Sequence, residues 1–163
     1  MQHKLLHEAP GQHGPQRTFA VVLETGDEVM ACLKDFIARE GIHAAQITAI
    51  GALSNVVLNY FDWERKAYQN IPVAEQVEVA SLIGDVAQAP DGTPALHVHI
   101  VVGRRDGTAM AGHLGDAHER PTLEAIITES PAHLKKKMDP ESGLALIRPQ
   151  LKDHRCSSLR EAL

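Results

Sequence analysis

The stretch Leu96-His97-Val98-His99-Ile100-Val101-Val102-Gly103 sets two imidazoles one residue apart inside an otherwise apolar run. In a strand, alternate side chains face opposite sides. Leu96, Val98, Ile100 and Val102 then share one face, and His97 and His99 share the other, roughly 6.5–7 Å apart. Two neutral imidazoles at that separation can converge on one divalent cation, with zinc the expected metal. Val101 follows them on the same face, an apolar neighbour that implies a shield from bulk water, such as another subunit. An HxH pair alone is more often two half-buried histidines bonded to backbone or water, so a third ligand decides between the readings.

That third candidate is His113, in Ala111-Gly112-His113-Leu114-Gly115. Whether it joins the pair depends on hairpin register, because a slip of one residue moves a side chain to the other face. A two-residue Asp106-Gly107 turn would set His113 opposite Ile100 and remove it from the site. A three-residue loop, Arg105-Asp106-Gly107, pairs Arg104 with Thr108 and sets His113 opposite His99. Gly107 can occupy the left-handed position that this loop requires, so the three-residue register is favoured. Gly112 and Gly115 leave room beside His113 for a metal, a ligand or another backbone. Three histidines without a fourth protein ligand would form an open site completed by water or a small ligand. Glu78 and Glu124 are candidate outer partners of the histidines, or a general base, and are otherwise solvent-facing strand carboxylates. His118 is placed in a loop, and His3, His7, His13 and His154 in tails.

The elements that position these residues follow from pattern. Phe19–Leu23 is a short apolar strand. Thr25 with Glu28 makes a capping box, Val29, Leu33 and Phe36 fall on one helical face, and Gly41 supplies a left-handed stop. One amphipathic helix over about 26–40 results. Segments 45–50, 56–61, 76–86, 95–103, 109–114 and 123–128 read as strands between turn signals. Residues 130–143, with the Lys135-Lys136-Lys137 run, read as a surface loop, and 144–148 as a last edge strand. The expected architecture is a single α+β domain with a mixed, mostly antiparallel sheet over 17–149. Residues 1–16 form a loose N-terminal tail and 150–163 a C-terminal one.

The chain has 163 residues, 44% of them apolar, with a formal charge of −5. This suits one globular domain rather than a disordered chain. The acidic balance and only 4% aromatic residues argue against a general nucleic-acid footprint or an extensive base-stacking platform. No run is long enough to cross a bilayer, and Met1–Pro10 has no signal-peptide core. Cys32 and Cys156 form no CxxC pair and read as reduced thiols of a cytoplasmic protein. There is neither a phosphate-binding GxxxxGK[ST] loop nor a GxSxG elbow.

Glu78-Val79-Ala80-Ser81-Leu82-Ile83-Gly84, then His97-Val98-His99, Asp106-Gly107, Gly112-His113-Leu114-Gly115 and Glu124 follow one another in an order that resembles the PPC domain family, shared between plants and prokaryotes. The resemblance spans about residues 17–149. It implies a small α+β domain, assembly as a homotrimer, and a metal site inherited by His97, His99 and His113. In plants the domain accompanies AT-hooks, whose Arg-Gly-Arg-Pro core contacts DNA. This chain has no such core, so a DNA partner would depend on a local patch drawn from Arg104, Arg105, Lys135–Lys137, Arg148, Lys152 and Arg155. The leading expectation is therefore a trimeric, metal-holding protein of binding or regulatory role, DNA-binding by family resemblance. The alternative is a metal-dependent enzyme acting on a small ligand at the open site.

Overall fold

A computed structural model describes residues 1–11, 14–130 and 134–149. Its strands and single helix, in chain order, are β1 (Gln2–Ala9), β2 (Gln16–Glu24), α1 (Val29–Glu40), β3 (Ala45–Asp62), β4 (Ala67–Val73), β5 (Val77–Gln88), β6 (Pro94–Gly103), β7 (Ala109–Glu129), β8 (Lys136–Met138) and β9 (Ala145–Ile147). The balance is mostly β with one helix, and the large sheet runs β1-β2-β7-β6-β5-β3-β4. Every ladder among the described residues is antiparallel, which corrects the expectation of a mixed sheet. The parallel contact found there is an isolated bridge between Gln88 and Lys135.

Two strands are much longer than local pattern implied. The segments 45–50 and 56–61 are both parts of β3, and 109–114 and 123–128 are both parts of β7. Bulges let each strand turn while staying paired. The N-terminal half of β7 pairs with β6, and its C-terminal half pairs with β2. β3 pairs with β5 on one side and β7 on the other. The pairings therefore close a ring, β3–β5–β6–β7–β3, around Leu53, Leu58, Leu82, Ile100, Val102 and Leu114, all buried.

Helix α1 begins at Glu28, not at a Thr25 cap. The Glu28 carboxylate accepts from the backbone N–H groups of Met30 and Ala31, and also from that of Ala117, which ties the helix start to β7. Gly41 ends the helix at φ 64°, its N–H donating to the last turn. Val29, Leu33, Phe36 and Ile37 bury the inner face against Phe19 and Leu23 of β2 and Leu123 and Ile127 of β7. Cys32 packs at the edge of this core.

The N-terminal segment is not a loose tail, since Gln2–Ala9 pairs with β2 from Gln2–Val22 to Ala9–Gln16. Its side chains are nearly all exposed, so no alternation of polarity advertised it. Backbone hydrogen bonds hold this edge strand. Residues 150–163, with Lys152, His154, Arg155 and Cys156, lie outside the described residues, as does His13. No helix among the described residues is long and apolar enough to cross a membrane.

Candidate metal centre

The β6–β7 hairpin adopts the three-residue loop. The Arg104 N–H donates to Thr108 O over 2.8 Å, and Gly107 sits at φ 82°. Asp106 accepts from both the backbone N–H and the hydroxyl of Thr108, which fixes the turn. The register that follows pairs His99 with His113. The rings of His97, His99 and His113 lie with centroids 5.0, 4.9 and 4.0 Å apart, and one nitrogen from each falls within 4.8 Å of the others.

Neighbouring strands give the rings orienting contacts. Across β5, Asp85 pairs with His97 in register, and its Oδ2 accepts from His97 Nδ1 over 3.3 Å. With that proton on Nδ1, the Nε2 lone pair of His97 is left for an ion. From β4, the Tyr68 hydroxyl lies 2.9 Å from His113 Nε2, with the two rings edge-to-face. Lys136 of β8 is buried, and its Nζ lies 3.6 Å from the second Asp85 oxygen. Burial opposes ionisation of Asp85, but the His97 hydrogen bond and the Lys136 charge outweigh it and hold the carboxyl below its ordinary value. Burial, then the neighbouring imidazoles, lowers His113 to about 4. Burial and the charge of His97 lower His99. Both therefore offer neutral lone pairs at pH 7, the form that binds metal. The donor set fits a divalent cation: three imidazole nitrogens lie within reach of one point, and two of the rings are held by a neighbouring carboxylate or hydroxyl.

Gly112 and Gly115 do make room beside His113, and the room is taken by another backbone. A Cβ on Gly112 would stand 3.0 Å from Asn59 O, and one on Gly115 would stand 2.8 Å from Val57 O. The glycines thus let β3 approach the strand that carries the third histidine.

Other candidates separate from the cluster. Glu78 and Glu124 line a different cavity with Ile50, Ala52, Val79 and Thr122, so the structure does not bring them to the histidines. Glu124 lies eleven residues beyond His113 on β7, on the order of 35 Å of extended chain. His118 is on β7 rather than in a loop, with Nδ1 3.4 Å from Asn55 Oδ1. His3 lies on β1 against Phe36, and His7 is on the same strand. Of the basic candidates, Arg104 is paired with Glu75, Lys136 with Asp85 and Arg148 with Asp139. The lysine run is thus no simple surface loop, because β8 turns Lys136 inward.

Sequence reasoning missed Asp85, Tyr68 and Lys136. Asp85 could have been found by extending the β5–β6 ladder from the HxH pair. Tyr68 lies on a strand whose residues are exposed on both faces, which leaves no alternation to read.

The exposed side of the ring carries an apolar row beside the histidines. Ile126 pairs with Thr48, Thr48 with Ile83, Ile83 with His99, and His99 with His113. Ile50 is 61% exposed, Ile83 57%, Ile126 42% and Val101 37%. Four large aliphatic side chains on one sheet face form a patch of the kind that marks an interaction surface.

The sequence matches the Plants and Prokaryotes Conserved (PCC) domain over residues 11–131. No curated protein matches it. Among solved structures, a plant- and prokaryote-conserved (PPC) protein from Pyrococcus horikoshii is 30% identical, with TM-score 0.75 over 91% of this chain and 95% of its own. A metal-containing protein from Archaeoglobus fulgidus is 32% identical, with TM-score 0.74 over 86% and 97%. A putative DNA-binding protein from Bacteroides thetaiotaomicron is 27% identical, with TM-score 0.76 over 87% and 96%.

Proposed function

Since this chain belongs to the Plants and Prokaryotes Conserved domain family, we propose that it is a cytoplasmic homotrimer that holds a divalent metal, zinc, on His97, His99 and His113 and serves a binding or regulatory role. The observation that carries this reading is the convergence of three imidazoles from two paired strands, two of them held by Asp85 and Tyr68. The Archaeoglobus relative, named for its metal, supports it. Bound there, the cation would supply a Lewis-acidic position with coordination left open to water or a small ligand. The chain's own part is to hold the rings. Asp85 accepts from His97 Nδ1, the Tyr68 hydroxyl lies against His113 Nε2, and His97 together with Lys136 holds Asp85 ionised. The exposed Ile50, Ile83, Val101 and Ile126 are the surface that assembly would cover.

The test is metal content and mass of untagged protein. Stoichiometric zinc is expected in a particle of three chains, with zinc lost in His97→Ala and in His113→Ala while far-UV circular dichroism is unchanged. Asp85→Asn should keep the site but weaken zinc roughly 10–100-fold in a chelator competition. Protein that stays metal-free after incubation with zinc refutes the site, and a monomer by light scattering refutes the trimer.

DNA association is a second reading, supported by the name of the Bacteroides relative. With Arg104, Lys136 and Arg148 engaged by carboxylates, Arg105, Lys135 and Lys137 are the described basic residues best placed to contribute. Binding to a labelled duplex would fall steeply with salt. Absence of binding at low salt disposes of this reading.

A further inference from the structure

One lysine of the Lys135-Lys136-Lys137 run is turned inward, and the other two stay in solvent. Lys136 is 8% exposed, and Ile147, its partner across the β8–β9 ladder, shares its face. Both line a cleft of about 520 Å³ whose other side carries Asp85, Tyr68 and the three histidines. The hairpin is a body apart from the sheet that holds those histidines, since β8 and β9 form a two-stranded sheet of their own. Asp139 stiffens it, accepting from the N–H and hydroxyl of Ser142 across the turn and from Arg148 beyond it. Among the described residues, its hydrogen bonds to the large sheet are confined to Gln88, whose N–H donates to Leu134 O over 2.8 Å. The charged link is Lys136 to Asp85, with Nζ 3.6 Å from Oδ1. That is longer than a hydrogen bond, and Asp85 Oδ1 is buried with no hydrogen-bond partner among the described residues. Charge attraction alone closes this latch.

The other oxygen of Asp85 holds His97, so the latch and the histidine cluster share one carboxylate. A divalent cation on the histidines adds two positive charges to a cleft whose one ammonium, Lys136, has no second carboxylate in the lining to turn to. Lys136 is buried, so the repulsion is weakly screened. The histidines are fixed in the closed ring of strands and the hairpin is not, which makes the hairpin the element that yields. We propose that β8–β9 is a strap released by the metal: it lies against the cleft while the histidines are empty and lets go when they hold a divalent cation. Release brings Lys136 and Ile147 into solvent and so reports occupancy of the site on the protein surface. The proposal rests on the metal reading and goes beyond it by giving the site a regulatory output.

Acylation of lysine amines tests it, because the exposed Lys135 and Lys137 serve as internal references beside Lys136. Untagged protein is stripped with a chelator, divided, reloaded with zinc or left empty, and assayed for metal. Both samples are treated briefly with an acetyl N-hydroxysuccinimide ester, and mass spectrometry reads each lysine. The reactivity of Lys136 relative to Lys137 is expected to rise roughly tenfold or more with zinc, since labelling follows the released population. Asp85→Asn, which removes the latch, should make Lys136 reactive without metal. Unchanged or lower reactivity of Lys136 in protein that carries zinc overturns the strap while the metal reading stands. A Lys136 still protected in metal-free Asp85→Asn overturns the latch on which the strap depends. Failure to take up zinc overturns the metal reading and this inference with it.

Discussion

Replacing Glu119 with leucine is expected to raise the melting temperature by several degrees at neutral pH and to remove a pH dependence that the wild-type chain shows between about pH 4.5 and 8. Glu119 is 1% exposed on β7, and neither carboxyl oxygen has a hydrogen-bond partner among the described residues. Its backbone is fully used, with N–H to Asp27 O and C=O from Gly26 N–H, each 3.1 Å, so the side chain cannot withdraw without tearing this corner. Burial, and secondarily the Asp27 charge, pushes the carboxyl up to about 8. Asp27 itself faces the Met1 ammonium at 2.9 Å and stays ionised, its carboxyl lowered chiefly by the Glu24 backbone N–H.

The sign follows from proton binding. Between the unfolded value near 4.5 and the folded value near 8, the native state holds a proton that the unfolded state has lost, so stability falls as pH rises through that window. Above it both states are ionised and the loss is complete, about 3 kcal/mol once local relaxation is allowed for. The measurement is the difference between wild type and Glu119→Leu in urea unfolding at pH 5, 6, 7 and 8, which cancels every other proton-linked contribution that the two chains share. A difference that grows with pH is expected, and a flat one would show that the buried carboxyl is not protonated in the native state. Glu119→Gln should gain less than leucine, because the amide also arrives without partners.

Glu119 also shows where the sequence stopped being legible. A glutamate between histidine and arginine, at Ala117-His118-Glu119-Arg120-Pro121, carries every mark of a solvated turn, and the expectation of a break between two strands rested on that stretch. The structure runs β7 straight through it, because Glu119 answers Leu53 across the ladder and its neighbours hold the helix start. Long-range pairing overrode local polarity. The histidine hairpin was legible for the opposite reason. Its register is set within a few residues by Asp106, Gly107 and the alternation of Leu96–Val102, and nothing distant is needed to bring His113 opposite His99. Asp85, Tyr68 and Lys136 each arrive from a different strand, and a pattern read along one segment cannot see them. Val101 is part of an exposed apolar patch on the histidine face. Its partners Ile50, Ile83 and Ile126 became visible as one surface only when three further ladders were known.

The same long-range pairing makes Gly51 the position whose substitution should cost the fold most. β3 bulges there, with Gly51 at φ 155°, and passes so close to β7 that an added Cβ would meet Thr122 O at 2.2 Å and Leu123 Cα at 2.8 Å. Both obstacles are backbone atoms of a strand fixed on its other side by β2, so neither can swing aside as a side chain would. Gly51→Ala therefore combines an overpacked contact with a backbone angle that alanine disfavours, and should destabilise by about 3 kcal/mol or more. Gly84→Ala makes an instructive contrast. It has no positive φ, but its Cβ would stand 2.9 Å from His97 O and 3.0 Å from a Val98 methyl, against the strand that carries His97 and His99. The two substitutions should divide stability from site geometry. Gly51→Ala is expected to lower the urea midpoint sharply while the protein that remains folded binds zinc as before. Gly84→Ala should lower the midpoint less and weaken zinc by shifting His97. Equal midpoints for Gly51→Ala and wild type would mean that β3 and β7 do not approach as described, and the closed ring that carries all three histidines would have to be redrawn.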